Sequence, residues 1–219
     1  MTLCGYDISH HNWTQIKIMG GAAWLSKAAR EGFVIIKATE GQSMKDNRCL
    51  DYVSMAGQLP FVTCMDPADA PKIGLYHYAR PEYNLPQAEA DNFLSMWRAV
   101  PGEGVVIALD VEGRSLQVPN VGKWALDWCR AVERVTKVKP LIYCQQSAVK
   151  LFKECAAADY GLWLASWQDR KPGKSKLGPW PFMAIWQYSS LGIDKDYFFG
   201  DSKQWFKYAG VNFDEALQQ

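Results

Sequence analysis

A single α/β domain closed into a barrel of about eight strands is the fold class this sequence predicts, on three observations. Strand-like and helix-like segments alternate about five times from the N-terminus, which implies right-handed crossovers and a parallel sheet. The last third holds strands with little helix between them. Finally, Val105-Val106-Ile107-Ala108-Leu109 is an apolar run without polar alternation, as in a strand buried on both faces.

Leu3 to Ser9 reads as the first strand and delivers Asp7 near its end, followed by a polar loop, Ile8-Ser9-His10-His11-Asn12-Trp13. Ala22, Leu25, Ala28 and Ala29 fall at helical spacing, with Gly32 closing the helix. Phe33-Val34-Ile35-Ile36-Lys37-Ala38-Thr39-Glu40-Gly41 gives a second buried strand ending in charge; strand parity puts Lys37 two beyond Ile35, and Glu40 in the turn. Residues 45–59 have a helix-like composition, and 60–71 form a Pro- and Asp-rich connection. Lys72 to Ala79 is a third strand with polar aromatics at its end, and Pro86 to Val100 a helix with Ala90, Phe93, Leu94 and Trp97 on one stripe.

The Val105 strand comes next. Val121, Trp124, Ala125, Trp128, Ala131, Val132 and Val135 then mark the clearest amphipathic helix. Pro140 to Cys144 is a fifth strand and 147–157 a short helix. Leu162 to Trp167 and Met183 to Tyr188 are strands joined by a Lys/Pro/Gly-rich loop, residues 168–181. Ile193 to Phe198 gives a short eighth strand before a terminal helix and tail, 201–219. No linker or low-complexity tail divides the chain, so one domain over 1–219 is expected, with no separate second unit.

Composition narrows the function. The 219 residues are 48% hydrophobic and 21% charged with a net charge of +1, so nothing suggests nucleic acid or an acidic membrane surface as a partner. No apolar run is long enough to span a membrane. Ten Trp, ten Tyr and nine Phe suit flat apolar faces such as sugar rings as well as a core. Six cysteines (Cys4, Cys49, Cys64, Cys129, Cys144, Cys155) show no CxxC pairing, and the histidines are only His10, His11 and His77, so neither a zinc site nor any cofactor is expected. Cys129 and Cys144, in apolar segments, read as small buried hydrophobes, and synthesis in a reducing compartment follows.

The chemistry concentrates at strand ends. Asp110 and Glu112, one residue apart, share a strand face while Val111 points away, with their Cα atoms roughly 7 Å apart. Alone, such a pair is often capping or ion pairing. In barrels of this class, however, functional groups gather at the C-terminal strand ends. There this sequence keeps Asp7, Lys37 and Glu40, Tyr76 to Tyr78, Asp110 and Glu112, Tyr143, Trp163 to Trp167, Trp186 to Tyr188, and Asp194. Acids ringed by Trp and Tyr fit a carbohydrate; there is no glycine-rich phosphate loop and hardly a histidine for a Ser/His/Asp set. Glycoside hydrolysis needs one carboxylic acid to protonate the leaving oxygen and a second carboxylate to stabilise an oxocarbenium-like transition state. The pair's spacing is compatible with either a retaining or an inverting outcome.

Seven words, in order, resemble glycoside hydrolase family 25, the barrel-shaped muramidases called Chalaropsis-type lysozymes. They are Gly5-Tyr-Asp7-Ile-Ser, Phe33-Val-Ile-Ile-Lys37-Ala-Thr-Glu40-Gly, Gly74-Leu-Tyr-His-Tyr-Ala79, Leu109-Asp110-Val-Glu112, Pro140-Leu-Ile-Tyr-Cys144, Leu162-Trp-Leu-Ala-Ser-Trp167 and Ile185-Trp-Gln-Tyr-Ser189. The resemblance implies a modified TIM-like barrel of five β/α units followed by three strands. It also implies cleavage of the β-1,4 bond between N-acetylmuramic acid and N-acetylglucosamine in bacterial peptidoglycan. Position by position, Glu112 is implied as general acid/base and Asp110 as nucleophile or as orienter of the substrate acetamido group. Asp7 and Asp194 complete an acidic floor, Asp194 matching the first acid of the family's Asp-x-Asn-x-Phe ending, where this chain carries Asp196 in place of Asn. Tyr78, Tyr143, Trp163, Trp167 and Gln187 are the implied sugar contacts.

Two other readings stay open at this level. A non-catalytic glycan-binding barrel has no use for so many acids, and binding without release of reducing ends is its signature. A chitin-type hydrolase also ends a strand in Asp-x-Glu, but its longer acidic word is absent because 105–109 are apolar. The N-terminus lacks the charged start and apolar core of a secretory signal. A monomer made in the cytoplasm and reaching the wall after release, as a phage endolysin does, is therefore expected.

Overall fold

What closes this chain on itself is the double pairing of its first strand. The computed structural model describes residues 2–57, 66–100 and 104–211. Strand β1 (Leu3–Ile8) pairs in parallel with β2 (Phe33–Glu40) and antiparallel with β9 (Asp194–Phe198). From β2 the ring continues through β4 (Ile73–Tyr78), β5 (Val106–Asp110), β6 (Leu141–Gln145), β7 (Leu162–Ala165) and β8 (Ile185–Ser189) back to β9. The two-residue β3 (Met44–Lys45) folds back on β2 outside the ring. The fold is thus a closed eight-stranded α/β barrel with few helices in its last third.

The parallel pairing that the strand–helix alternation implies runs around the ring from β1 to β8 and ends at β9, which runs antiparallel to both neighbours. Parallel strands need a crossover of a dozen residues or more, whereas the short 190–193 link permits only a hairpin return. β9 therefore descends from the mouth of the barrel, where the parallel strands end.

Alternating strand side chains fall into two apolar populations. Phe33 and Ile35, Val106 and Ala108, Leu141, Trp163, Ile185 and Phe198 point inward. Val34 and Ile36, Ile107 and Leu109, Ile142 and Cys144, Leu162 and Leu164 point outward beneath the helices. Each such side chain contributes roughly 1.5–3 kcal/mol on burial, which makes register strongly specified. The main helical cover comes from α2 (Ala22–Glu31), α3 (Cys49–Ala56), α4 (Pro86–Trp97) and α5 (Val121–Thr136). In α5 the buried stripe of Ala125, Trp128, Cys129 and Val132 follows the period read from the sequence. Gly32, between α2 and β2, admits no side chain, because a Cβ there meets the Cys4 carbonyl oxygen at 1.8 Å.

The barrel bottom is stoppered by α7 (Ser202–Tyr208), whose Trp205 lies 4.7 Å from the Phe33 ring and 5.3 Å from that of Phe198. Asp201 caps this helix and Gln204 reciprocates, a capping box that fixes where it starts.

Four local expectations change. The polar loop after Ile8 is a 3-10 turn, His10–Asn12, leading into α1 (Trp13–Ile18), because Ser9 and Asn12 form a reciprocal cap. The helix expected over 45–59 is shorter and is preceded by β3. Residues 147–157 are largely a 3-10 stretch, Gln146–Phe152, before a one-turn α6 (Lys153–Ala157). Glu40 belongs to β2 rather than to the turn. The first half of the 60–71 connection, with Cys64, and the tail beyond 211 lie outside the described residues. Cys129 and Cys144 are buried and unpaired, as their apolar surroundings suggested.

Candidate active site

The inward alternation of β5, Val106 then Ala108, continues as Asp110 and Glu112, while Val111 turns outward and is wholly buried. The Val111 amide still donates to the Tyr143 carbonyl at 3.1 Å, so the extended backbone persists past the strand end. Gly113 then turns the chain away at φ +60°, a conformation glycine adopts freely. Both acids thereby enter one cleft of about 440 Å³ at the mouth of the barrel.

Asp7 reaches the same cleft from β1, directly opposite Asp194 on β9. Opposed like charges on neighbouring strands are unfavourable unless a proton or partner relieves them. Two residues further down β9, Asp196 is buried beneath them and accepts the Trp163 indole N–H at 2.8 Å. Gln187 donates to Asp7 Oδ2 at 2.8 Å and accepts from the Tyr143 hydroxyl and the Trp167 indole N–H, both at 3.0 Å. The indole is a pure donor, which fixes the amide's orientation. Trp163 is sealed in, whereas Trp167 is 57% exposed and offers an open ring face to the cleft.

A cationic arm closes another side. A bulge between Lys37 and Thr39 shifts the register of β2, so that Lys37 and Glu40, opposite in simple parity, both line the cleft. Lys37 Nζ donates to Glu40 Oε2 at 2.6 Å, and Arg80 donates through both Nε and Nη2 to Glu40 Oε1. Both cations lie over the Tyr78 ring, at 4.8 and 4.6 Å from its centre. The Tyr78 hydroxyl faces the same cleft as Glu112 and favours its charged form. Tyr76 packs edge-on to Trp163, 6.4 Å between ring centres, deeper in the wall.

Burial and mutual charge sort these acids into two groups. Burial, then Asp194, pushes Asp7 up to about 7. Burial and Glu112 push Asp194 up to about 6. Asp110 is held well above the carboxylate range by burial, Glu112 and Asp7, and its buried Oδ1 has no hydrogen-bond partner. Burial raises Glu112 as well, against the opposing Tyr78 hydroxyl and the Lys37 and Arg80 charges. Glu40 goes the other way: burial alone raises it, but Lys37 and Arg80 overcome that and hold it below its ordinary value. The cleft therefore combines proton-holding acids with a permanently ionised one, the separation that lets one site supply both an acid and an anion near neutrality.

Twelve of the strand-end side chains singled out from the sequence line this cleft, joined by Ser9, His11 and Arg80; His77, which is bonded to Glu89, and Trp186 and Tyr188 do not. Arg80 lies two residues past its strand, so extending the strand-end rule that far finds it. Ser9 sits in the reciprocal cap missed above. Among the described residues, no three His, Cys, Asp or Glu side chains are arranged to hold a metal ion.

Known proteins place this geometry. The model of glycosyl hydrolases family 25 matches residues 6–197. Lysozyme M1 of Streptomyces globisporus is 28% identical over 209 residues, covering 86% of this chain and 62% of that protein. An uncharacterized protein, YegX, of Escherichia coli K12 is 29% identical over 198 residues, covering 87% of this chain and 64% of its own. The chain thus spans less than two thirds of the length of these curated relatives. Among solved structures, a family GH25 lysozyme from Aspergillus fumigatus matches with a TM-score of 0.67 and 27% identity, covering 95% of this chain and 99% of that one. A bacterial lysozyme from Streptomyces coelicolor shares the fold, with a TM-score of 0.69 at 24% identity over 94% of this chain and 96% of its own.

Proposed function

This chain belongs to glycosyl hydrolases family 25, and from that premise we propose that it is an N-acetylmuramidase cleaving the β-1,4 bond between N-acetylmuramic acid and N-acetylglucosamine of peptidoglycan. The observation that carries the reading is the convergence of Asp110 and Glu112 with Asp7 and Asp194 on one aromatic-walled cleft.

Glu112 is the general acid/base. It is half-buried and opens on the cleft, and burial raises its pKa, favouring the protonated form that a general acid needs. As the C1–O bond breaks, that proton passes to the departing N-acetylglucosamine oxygen. Water then adds to C1, and its proton returns to Glu112. Asp110, deeper and with an unpartnered oxygen, acts in one of two ways. As the carboxylate it attacks C1 to form an ester whose C1–O bond breaks, releasing Asp110, when water adds. While protonated, it instead orients the acetamido group by a hydrogen bond and forms no bond to C1. Asp7 and Asp194 line the floor as further acids facing the charge that develops on the sugar ring. Trp167 supplies an apolar face for a pyranose, and Lys37 and Arg80 steady Glu40 and Tyr78 beside the acid.

The test is mass analysis of products from purified peptidoglycan, with new reducing ends on muramic acid expected. Glu112→Gln should lower the rate by about 10²–10⁴-fold with unchanged circular dichroism and retained glycan binding. Undiminished lysis by that variant refutes the assignment of Glu112. Binding by the wild type without any new reducing end would instead make the protein a glycan-binding barrel.

A further inference from the structure

Asp196 is buried among acids with no cation to answer it. Its side chain is 0% exposed, two residues below Asp194 on β9 and, in register, beside Gly5 of β1 and Gln187 of β8. Oδ1 accepts the Trp163 indole N–H at 2.8 Å. Oδ2, closed off from solvent, meets no N–H or O–H donor. The acid beside it is Asp7, two residues on from Gly5 along β1 and bonded across the Asp196 strand by the same Gln187 that is in register with Asp196. Two such carboxyl groups are both acceptors when ionised, so the pairing is favourable only if one carries a proton.

The surroundings decide which one. Asp7 opens on the cleft with 8% exposure and already takes the Gln187 N–H on Oδ2, so an ionised Asp7 is partly answered. Asp196 has a single neutral donor, and the titratable groups acting on it are acids or a phenol: Asp7 on β1, Asp194 on its own strand and Tyr143 on β6. Ionising Asp196 adds a second buried anion with nothing to balance it, which a dry interior strongly disfavours.

On the muramidase reading of the cleft, we propose that Asp196 is a further positioning residue: it keeps its proton, donates it to Asp7, and so fixes the Asp7 carboxylate on the floor of the site. The hydrogen-bond sense of the whole floor follows. Trp163 donates to Asp196, Asp196 to Asp7, Gln187 to Asp7, and Tyr143 and Trp167 to Gln187. Asp7 is the common acceptor, and the open indole of Trp167 is oriented through it. Burial and the Asp7 charge, which hold Asp196 well above the ordinary carboxylate range, agree with this placement of the proton. Asparagine, the residue of the family's Asp-x-Asn-x-Phe ending, offers the same donor without the titration. The aspartate makes the floor sensitive to alkali where an amide is not.

The decisive measurement is a carbon-13 NMR titration of the aspartate carboxyls in the whole protein, with Asp196 assigned by the resonance missing from Asp196→Asn. The Asp196 signal should stay at its protonated position through the range around about pH 4 in which an ordinary aspartate ionises. Asp196→Leu, of similar volume but without a donor, should lose about 10–100-fold in the rate of reducing-end release. Asp196→Asn should restore most of that loss, its rate holding at alkaline pH where the wild type declines. An Asp196 resonance that ionises like an ordinary carboxylate overturns the proposal, as does an asparagine variant as impaired as the leucine one. If Asp196→Leu does not fold, the titration and the asparagine variant's pH profile decide. A wild type that releases no reducing ends counts against the muramidase reading alone, and the NMR titration still locates the proton.

Discussion

Gln187 on β8 donates to Asp7 Oδ2 on β1 at 2.8 Å, reaching over β9, which lies between them in the sheet. Its carbonyl oxygen receives Tyr143 from β6 and the loop residue Trp167. One amide therefore ties together the floor, the wall and the exposed indole of the cleft. Gln187→Leu keeps the volume but strands two donors and an acceptor, each costing about 1–3 kcal/mol when buried. The expected result is a Tm lower by on the order of 5–10 °C and an activity reduced about ten-fold. Thermal melts read by circular dichroism check the first, and an unchanged Tm would show that the floor does not depend on this amide.

The acids give stability two opposed pH dependences. Asp7 and Asp194 have folded values near 7 and 6 against an ordinary 3.8. Raised groups of this kind contribute stability that is complete below their ordinary value and is lost as pH rises through the folded one. Their contribution declines from about pH 4 to about pH 7. Glu40 is lowered from 4.5, so its contribution is present above that value and lost as pH falls through the folded one. Melting temperature should therefore peak in mildly acidic buffer. Asp7→Asn should flatten the decline toward neutrality while impairing catalysis, a gain in stability at the expense of function. A wild-type Tm that rises steadily to pH 7 counts against the raised acids.

How far the sequence could be read depends on whether local pattern or ring closure decides the feature. The run Val105 to Leu109 and the parity of Asp110 and Glu112 are local, and the structure follows them. So are the inner stripe of α5 and the clustering of Tyr76, Tyr78, Tyr143, Trp163 and Trp167 at strand ends. The antiparallel run of β9 depends on which neighbours close the ring, and hydrophobic period says nothing of direction. Glu40 was misread because a bulge after Lys37 breaks the two-residue period that the reading assumed. Asp196 drew notice only as a departure from a family ending. Its pairing with Asp7 joins residues 189 positions apart, beyond the reach of any local pattern.

Trp167 is the side chain whose role in binding separates most cleanly from stability. It is 57% exposed, its indole N–H is anchored on Gln187, and its ring lines the cleft. Trp167→Ala should raise KM for peptidoglycan fragments about ten-fold while shifting Tm by no more than about 2 °C, since little core packing is lost. Trp167→Phe should recover part of the affinity, because a ring face survives without the anchoring N–H. Steady-state kinetics on soluble muropeptides make the comparison, and an unchanged KM in the alanine variant removes Trp167 from the binding surface.

Gly113 follows Glu112 immediately, and its φ of +60° turns the chain away just after Glu112 enters the cleft, into the 3-10 stretch Gly113–Gln117. There is space for a side chain, since an added Cβ finds the Tyr78 hydroxyl at 3.9 Å. The penalty for alanine is thus backbone strain rather than a clash, about 1–2 kcal/mol for an L-residue held in the left-handed region. If the backbone keeps its conformation, Gly113→Ala lowers Tm by roughly 2–8 °C and leaves kcat nearly intact. If it relaxes instead, the strain passes to Glu112 and pulls it away from Tyr78, and displacement of a catalytic group by about 1 Å costs up to about 10²-fold in rate. Asparagine tolerates this backbone region better than alanine, so Gly113→Asn should be less impaired in whichever quantity Gly113→Ala loses. Melting curves and reducing-end assays on the two variants check the order. Equal losses in both would mean that the side chain itself, and not the turn, is what the position excludes.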